Sequence, residues 1–136
     1  MTATITTRPL SDSSDSLLRF AMRTDATLCG GTGLLIAFAA DPLSRLSGLS
    51  SVSEWIAGAA LVFYGVALYV LAAAPAVRKI GVGVVVANMV FAVIAVAVLV
   101  LGLLPLTGAG VAMMLATVAA TLGCAAAQYF GVRRLA

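Results

Sequence analysis

Residues 80–104, IGVGVVVANMVFAVIAVAVLVLGLL, form an apolar run in which Asn88 is the one polar side chain. A helix needs about 20 apolar residues to cross the hydrocarbon core of a bilayer, and this run exceeds that length. Three further apolar stretches lie at about 17–40, 52–74 and 111–132. The sequence therefore predicts an all-α fold, a transmembrane bundle of four helices.

The composition of the whole chain supports this interpretation and excludes a water-soluble domain. Of the 136 residues, 62% are hydrophobic and 10% are charged, and the mean hydropathy is +1.15. Soluble domains are about a quarter charged, so this chain has too few charges to cover a surface that faces water. The net charge of +3 does not indicate a nucleic-acid partner, because the basic residues lie at the ends of the apolar segments, where they orient a membrane protein.

The basic residues are divided unequally between the two sides of a four-span chain. One side contains both termini and the turn between the second and third spans, and the other side contains only Arg45. Lys and Arg are in excess on the cytoplasmic side of membrane proteins, so both termini are predicted to be cytoplasmic, in a multi-pass protein of the plasma membrane. The basic residues of that side are Arg8, Arg19, Arg23, Arg78, Lys79, Arg133 and Arg134.

The chain divides into a tail and one domain. Residues 1–15 are rich in Ser, Thr and Asp and are predicted to form a disordered cytoplasmic tail, while residues 16–136 form a single four-span transmembrane domain. Between the first two spans, Asp41 and Pro42 suit the start of a helix, and Gly48 suits its end. With three leucines at helical spacing, this segment predicts a short amphipathic helix on the membrane surface; an irregular loop is the alternative.

Local signals also suggest where the spans begin and how they pack. Ser51 and Glu54 have the spacing of a capping box, Thr107 is a candidate N-cap, and Pro75 is expected to end the second span. Small residues four positions apart allow helices to approach closely. Such pairs are Ala26 with Gly30, Gly33 with Ala37, Ala116 with Ala120, and Gly123 with Ala127.

Polar side chains within the predicted spans lie mainly in the cytoplasmic half, where Asp25 is the acid. In lipid they must face other helices or water. The favoured interpretation is hydrogen bonding between helices, with Asp25 paired to a basic residue at the membrane edge, such as Arg78. The other is a small hydrophilic pocket open to the cytoplasm. The predicted polar cluster consists of Asp25, Tyr69, Asn88, Cys124 and Gln128.

The sequence predicts no catalytic site, no metal site and no cofactor site. The chain has no histidine, and no nucleophile is paired with a base. Residues 30–33, GGTG, follow no strand and precede no Lys-Ser or Lys-Thr pair, so they are not a phosphate-binding loop. Cys29 and Cys124 lie in apolar segments and are predicted to be reduced thiols. The protein is therefore expected not to be an enzyme.

The start of the first span resembles a known group of proteins. The stretches LLRFAMRTDA at 17–26, GGTG at 30–33, DPL at 41–43 and LSGL at 46–49 resemble those of small, uncharacterised four-helix integral membrane proteins of high-GC actinobacteria. The resemblance covers about the first 50 residues. It implies a membrane location and a four-helix fold, and it transfers no active site.

Two functions follow from these observations. The first is a small, non-catalytic integral membrane protein, a structural or accessory subunit that packs in a homo-oligomer or a hetero-oligomer within the lipid bilayer. The alternative is a small ion-coupled transporter or permease-like protein, which uses Asp25 as a proton- or cation-binding carboxylate.

Overall fold

The computed structural model describes residues 15–135, and every regular element in that range is an α-helix. The predicted tail lies outside the described residues, apart from Asp15. The helices are α1 (Ser16–Phe38), α2 (Ala40–Ser47), α3 (Ser51–Leu71), α4 (Val77–Leu101) and α5 (Gly108–Arg133).

Helices α3, α4 and α5 are each long and apolar enough to cross a membrane. Helix α1 reaches this hydropathy only together with α2, and the two are bent by 91° where they meet. Helix α1 alone has too low a hydropathy because its first half carries the charged residues Arg19, Arg23 and Asp25. The prediction of an all-α membrane bundle is therefore confirmed, with three spans, or four if α1 and α2 count as one.

The helix ends agree with some of the predicted signals. The Thr107 side chain caps α5 by accepting a hydrogen bond from the Gly110 amide at 3.0 Å. Gly48 ends α2 in the left-handed conformation, at φ 90°. Both residues act as the sequence predicts, because a hydroxyl oxygen satisfies a free helix amide and glycine adopts positive φ without steric cost.

Other predicted boundaries were wrong by one to three residues. Ser50, rather than Ser51, caps α3 by accepting from the Ser53 amide at 3.1 Å. Asp41 lies inside α2, whose N-cap is Ala39. Helix α4 runs from Val77 to Leu101, three residues earlier at each end than the predicted 80–104. The apolar run alone sets the predicted bounds, whereas helical hydrogen bonding continues through charged residues at its start and stops at Gly102, where φ is 61°.

The helices pack in the spatial order α3, α1, α5, α4. Helix α1 has its most extensive contact with α3 and also packs on α5, and α5 packs on α4. Helices α3 and α4 are consecutive in the chain but have little contact with each other. The short α2 folds back over α3 and α5.

Glycines bring the backbones of α1 and α3 into direct contact. A Cβ atom added to Gly33 would lie 2.6 Å from the Gly58 carbonyl oxygen, and one added to Gly65 would lie 2.7 Å from the Ala26 carbonyl oxygen. Two of the four predicted small-residue pairs therefore lie at this contact, those on α1. The two pairs on α5 are exposed, and a Cβ atom at Gly123 would meet no atom of the described residues within 4 Å.

One end of the bundle collects the start of α1, the end of α3, the start of α4 and the end of α5. Leu18 is fully buried there, between Gly81 of α4 and Gly131 of α5. Arg19 donates to the carbonyl oxygens of Ala72, at 2.7 Å, and Ala74, at 3.0 Å. We call this the basic end, because its charged side chains are mainly Arg19, Arg23, Arg78, Lys79, Arg133 and Arg134.

The outward surface of the helices is apolar. Phe38 is 89% exposed, Phe63 is 78% exposed and Val100 is 79% exposed. In water, so much contiguous apolar surface would be unfavourable, whereas lipid chains cover it without cost. This surface is that of a membrane bundle.

Candidate functional site

A buried carboxylate lies inside the bundle, about 13 Å along the α1 axis from Ser16 at the helical rise of 1.5 Å per residue. It belongs to Asp25, which is 4% exposed. Asn88 of α4 is 6% exposed and Gln128 of α5 is 0% exposed, and both face Asp25. Three helices therefore each contribute one polar side chain to the same interior point.

The three side chains form a closed triangle of hydrogen bonds. Asp25 Oδ2 accepts from Gln128 Nε2 at 2.6 Å and from Asn88 Nδ2 at 3.1 Å. Asn88 Nδ2 also donates to Gln128 Oε1 at 2.9 Å. The triangle joins α1, α4 and α5, and each amide orients the other.

Two more side chains extend the triangle toward α3 and along α1. Tyr64 of α3 donates its hydroxyl hydrogen to Asn88 Oδ1, with the oxygens 3.2 Å apart. The thiol of Cys29 donates to Asp25 Oδ1 at 3.3 Å. We call these five residues, Asp25, Cys29, Tyr64, Asn88 and Gln128, the Asp25 network.

Both oxygens of the Asp25 side chain act as hydrogen-bond acceptors. Oδ2 receives two amide N–H groups and Oδ1 receives a thiol. Among residues 15–135, no basic side chain comes within 4.0 Å of it. Neutral donors from α1, α4 and α5 therefore satisfy both oxygens of this buried carboxyl group.

The structure brings together most of the predicted polar cluster and leaves one member out. Asp25, Asn88 and Gln128 are in contact, and Cys124 is half-buried one turn before Gln128 on α5. Tyr69 is 55% exposed, and the Arg23 guanidinium lies 5.9 Å from the centre of its ring.

Tyr64 takes the place in the network that the sequence assigns to Tyr69. The two tyrosines are five residues apart, so they point about 140° apart around α3. Tyr64 shares the inward face of the helix with Gly65 and Leu68, which are both buried. Counting residues gives the depth of each tyrosine but not the rotation of α3, so the sequence carried no signal that chooses Tyr64 over Tyr69.

The predicted ion pair between Asp25 and a basic residue at the membrane edge is absent from the described residues. Asp25 lies more than two turns inside α1, whereas Arg78 and Arg133 lie at the ends of their helices. The distance along the helix axis prevents the pairing, and the two amides replace it.

A second buried carboxylate, which the sequence pattern did not predict, lies at the other end of the bundle. Glu54 is 5% exposed and accepts a hydrogen bond from the hydroxyl of Ser47, which is 2% exposed. The Thr107 amide donates to the Ser47 carbonyl oxygen at 2.9 Å, and the Thr107 hydroxyl donates to the Leu46 carbonyl oxygen. These bonds hold α2 across the start of α3 and α5. The sequence did not predict the contact of Glu54 with Ser47, because the spacing of Ser51 and Glu54 is also that of a helix cap.

The polar groups of the interior are satisfied by one another. Within residues 15–135, no buried side-chain nitrogen or oxygen lacks a hydrogen-bond partner. In the same part of the chain, no three or more Cys, Asp or Glu side chains are grouped so that they could hold a metal ion. The arrangement can hold α1, α3, α4 and α5 together.

No protein-family model matches the sequence, and no curated protein or solved structure matches it either.

Proposed function

We propose that this protein is a non-enzymatic membrane protein of four spans, with both termini in the cytoplasm, which acts as a structural or accessory subunit in the plasma membrane. The observation that carries this proposal is the triangle of Asp25, Asn88 and Gln128. Its polar atoms are directed at one another across three helices, as expected of a site that holds a bundle together.

The four-span topology is supported by where the charges lie. The basic end collects most of the positive side chains, and Arg45 lies at the opposite end beside the start of α3. Because Lys and Arg are in excess on the cytoplasmic side of membrane proteins, the basic end is expected to face the cytoplasm. The 91° bend between α1 and α2 suits a helix that leaves the membrane and continues along its surface.

The subunit role is supported by the outward surface. Large apolar side chains cover the outer faces of α3 and α4, and small ones cover the outer face of α5 around Gly123. Small residues let a neighbouring helix approach closely. An assembly with a second copy or with another membrane protein would use such a face. We also propose that the first 50 residues are related to those of small actinobacterial membrane proteins, which is consistent with a subunit role.

Cysteine labelling tests the topology. Cys29 and Cys124 are first replaced by alanine, and single cysteines are then placed at three exposed positions, Asp41, Ala76 and Gly108. In intact cells, a membrane-impermeant maleimide should label the Asp41 and Gly108 variants, and it should label the Ala76 variant only after permeabilisation. The reverse pattern would overturn the orientation, and labelling of all three from outside would overturn the four-span arrangement.

Native mass spectrometry tests the subunit role. Protein extracted in a mild detergent should carry a defined number of copies, or a stoichiometric second protein. The same mass should survive reconstitution into nanodiscs. A strict monomer with no stoichiometric partner in both environments would overturn the subunit role without affecting the topology.

One observation favours a second function, ion-coupled transport at Asp25. A buried acid with no basic partner is the usual proton carrier of membrane transporters. Liposomes that enclose a pH-sensitive dye, under an imposed potassium diffusion potential, would report proton entry through the protein. Proton entry that is present with Asp25, retained in Asp25→Glu and abolished in Asp25→Asn would favour transport. Equal proton entry for all three proteins and for empty liposomes would exclude it.

A further inference from the structure

The basic end contains an open pocket that the Asp25 network does not involve. The pocket has a volume of about 560 Å³ and lies between the starts of α1 and α4 and the turn after α3. Its charged lining residues are Asp15, Arg19, Arg78 and Lys79, with Pro75 and Leu135 among the apolar ones. Three cations and one acid give this small volume a net positive charge.

The cationic side chains of the pocket differ in whether they already bind other groups of the protein. Arg19 donates to two backbone carbonyl oxygens and pairs with Asp15 at 3.0 Å. Arg78 and Lys79 are exposed, and neither side chain forms a hydrogen bond or an ion pair with any residue in 15–135. Within the part of the chain that the structure describes, two positive charges of the pocket are therefore available to a ligand.

These two cations also lie where the fold disfavours them. Arg78 and Lys79 are in the first turn of α4, which contains no acidic residue and whose N-cap, Ala76, makes no side-chain capping bond. The positive end of the helix dipole repels cations. An anion bound in the pocket would compensate both the dipole and the side-chain charges.

The surface beneath the pocket suits an acyl chain. Arg78 begins a stripe of residues four apart on α4, which continues through Val82, Val86 and Val90. These valines are 44%, 56% and 51% exposed. A cation above an exposed apolar stripe matches a ligand with an anionic head and a hydrocarbon chain, rather than a soluble anion.

We propose that this pocket binds the phosphate of an anionic phospholipid headgroup, with Arg78 and Lys79 as its ligands and with an acyl chain along the valine stripe. The proposal relies on the proposed position of the basic end at the membrane surface. It does not rely on the non-enzymatic role, and the labelling of Asp41, Ala76 and Gly108 tests the position separately.

The experiment measures lipid binding to purified protein in a neutral detergent. Native mass spectrometry counts bound phosphatidylglycerol, with phosphatidylcholine of the same chains as the zwitterionic control, and thermal unfolding reports the stabilisation. Each cation near an anionic lipid contributes a factor of about five in binding. Arg78→Gln/Lys79→Gln should therefore weaken phosphatidylglycerol binding roughly 30-fold, and each single variant should weaken it about fivefold.

The matched control removes two charges from the same end of the bundle but outside the pocket. Arg133→Gln/Arg134→Gln should weaken phosphatidylglycerol binding by about fivefold at most, because neither side chain lines the pocket and water and salt screen an exposed charge that does not contact the ligand. An equal loss in both double variants would overturn the proposal in favour of a diffuse charge effect. No loss in Arg78→Gln/Lys79→Gln would also overturn it, as would equal binding of the two lipids by the unaltered protein.

Two further arms separate a lipid from a soluble anion and binding from folding. Inorganic phosphate should raise the unfolding temperature much less than phosphatidylglycerol does, and equal protection would overturn the assignment to a lipid. Without added lipid, Arg78→Gln/Lys79→Gln should unfold at the same temperature as the unaltered protein or higher, since it removes cations from the start of α4. If that variant unfolds at a lower temperature, lipid binding is compared between the unaltered protein and the two single variants, Arg78→Gln and Lys79→Gln. Full phosphatidylglycerol binding by both single variants would overturn the proposal.

Discussion

The Nε2 atom of Gln128 lies 2.6 Å from Oδ2 of Asp25, although the two residues are separated by 103 positions in the chain. This hydrogen bond joins the first long helix of the bundle to the last. Asn88 adds a second amide to the same oxygen at 3.1 Å. The bundle is therefore closed around a polar contact as well as by apolar packing.

Replacement of Asp25 by asparagine should destabilise the protein by about 1 to 2 kcal/mol. The new amide turns its N–H group either toward Gln128 Nε2 and Asn88 Nδ2 or toward the Cys29 thiol, and all three donate to Asp25. In either orientation a donor replaces one of the two acceptor oxygens of Asp25. Unfolding in mixed micelles with increasing denaturing detergent measures the change.

A double swap provides the control for that experiment. Asp25→Asn combined with Gln128→Glu moves the carboxylate from α1 to α5 and restores a donor facing an acceptor. It should recover at least half of the lost stability. If Asp25→Asn alone is as stable as the unaltered protein, the triangle does not hold the bundle.

Replacement of Gly58 by alanine should force α1 and α3 apart. The added Cβ atom would lie 2.6 Å from the Gly33 carbonyl oxygen and from the Ala37 amide nitrogen, and backbone atoms cannot move aside as a side chain can. The expected loss is about 1 to 3 kcal/mol. The matched control is Gly83→Ala, whose added Cβ atom would meet no atom of the described residues within 4 Å and which should be neutral or stabilising by up to about 1 kcal/mol. Equal effects of the two substitutions would contradict the close contact.

Removal of the Glu54 side chain should release α2 from the bundle. Glu54→Ala leaves the buried Ser47 hydroxyl without its acceptor, at a cost of about 1 to 2 kcal/mol. Hydrogen exchange of the amides in 40–48 should accelerate, while exchange in the middle of α4 stays unchanged. Glu54→Gln retains a side-chain oxygen for Ser47 and should leave exchange in α2 nearly as slow as in the unaltered protein. Fast exchange in α2 before any substitution would refute the role of this contact.

Loss of Arg19 should loosen the end of α3. Arg19 donates to the carbonyl oxygens of Ala72 and Ala74. Because these residues follow the end of α3, no further helical turn supplies N–H groups to their carbonyl oxygens. A hydrogen bond from a charged donor contributes about 1.5 to 3 kcal/mol at most. Arg19→Ala should lower the unfolding midpoint clearly more than Arg23→Ala. Arg23 is exposed, and within residues 15–135 its guanidinium group has one polar or ring contact, with Tyr69. A larger effect of Arg23→Ala would show that the basic end is held differently.

The polar residues show how far the sequence leads. Asp25, Asn88 and Gln128 could be placed at a common depth by counting residues from the charged ends of their helices, because the rise per residue is constant. That count could not predict that Tyr64, rather than Tyr69, joins the Asp25 network. Both tyrosines lie on α3, and only the rotation of the helix decides which one faces the interior of the bundle. Glu54 was missed for a related reason, because its partner Ser47 belongs to a separate short helix that the fold bends back by 91°.

The sequence by itself determined that this is an all-helical membrane protein, where its helices lie to within a few residues, and which end carries the positive charge. Those properties follow from local chemistry, because an apolar segment in lipid must satisfy its own backbone hydrogen bonds and does so as a helix. The tertiary structure alone decided that α1 packs on α3 through Gly33 and Gly58, that α3 and α4 stay apart, and that the acid of α1 meets two amides. These contacts depend on the rotation and order of helices whose outer faces are all apolar, and a uniform apolar surface does not specify which neighbour it faces.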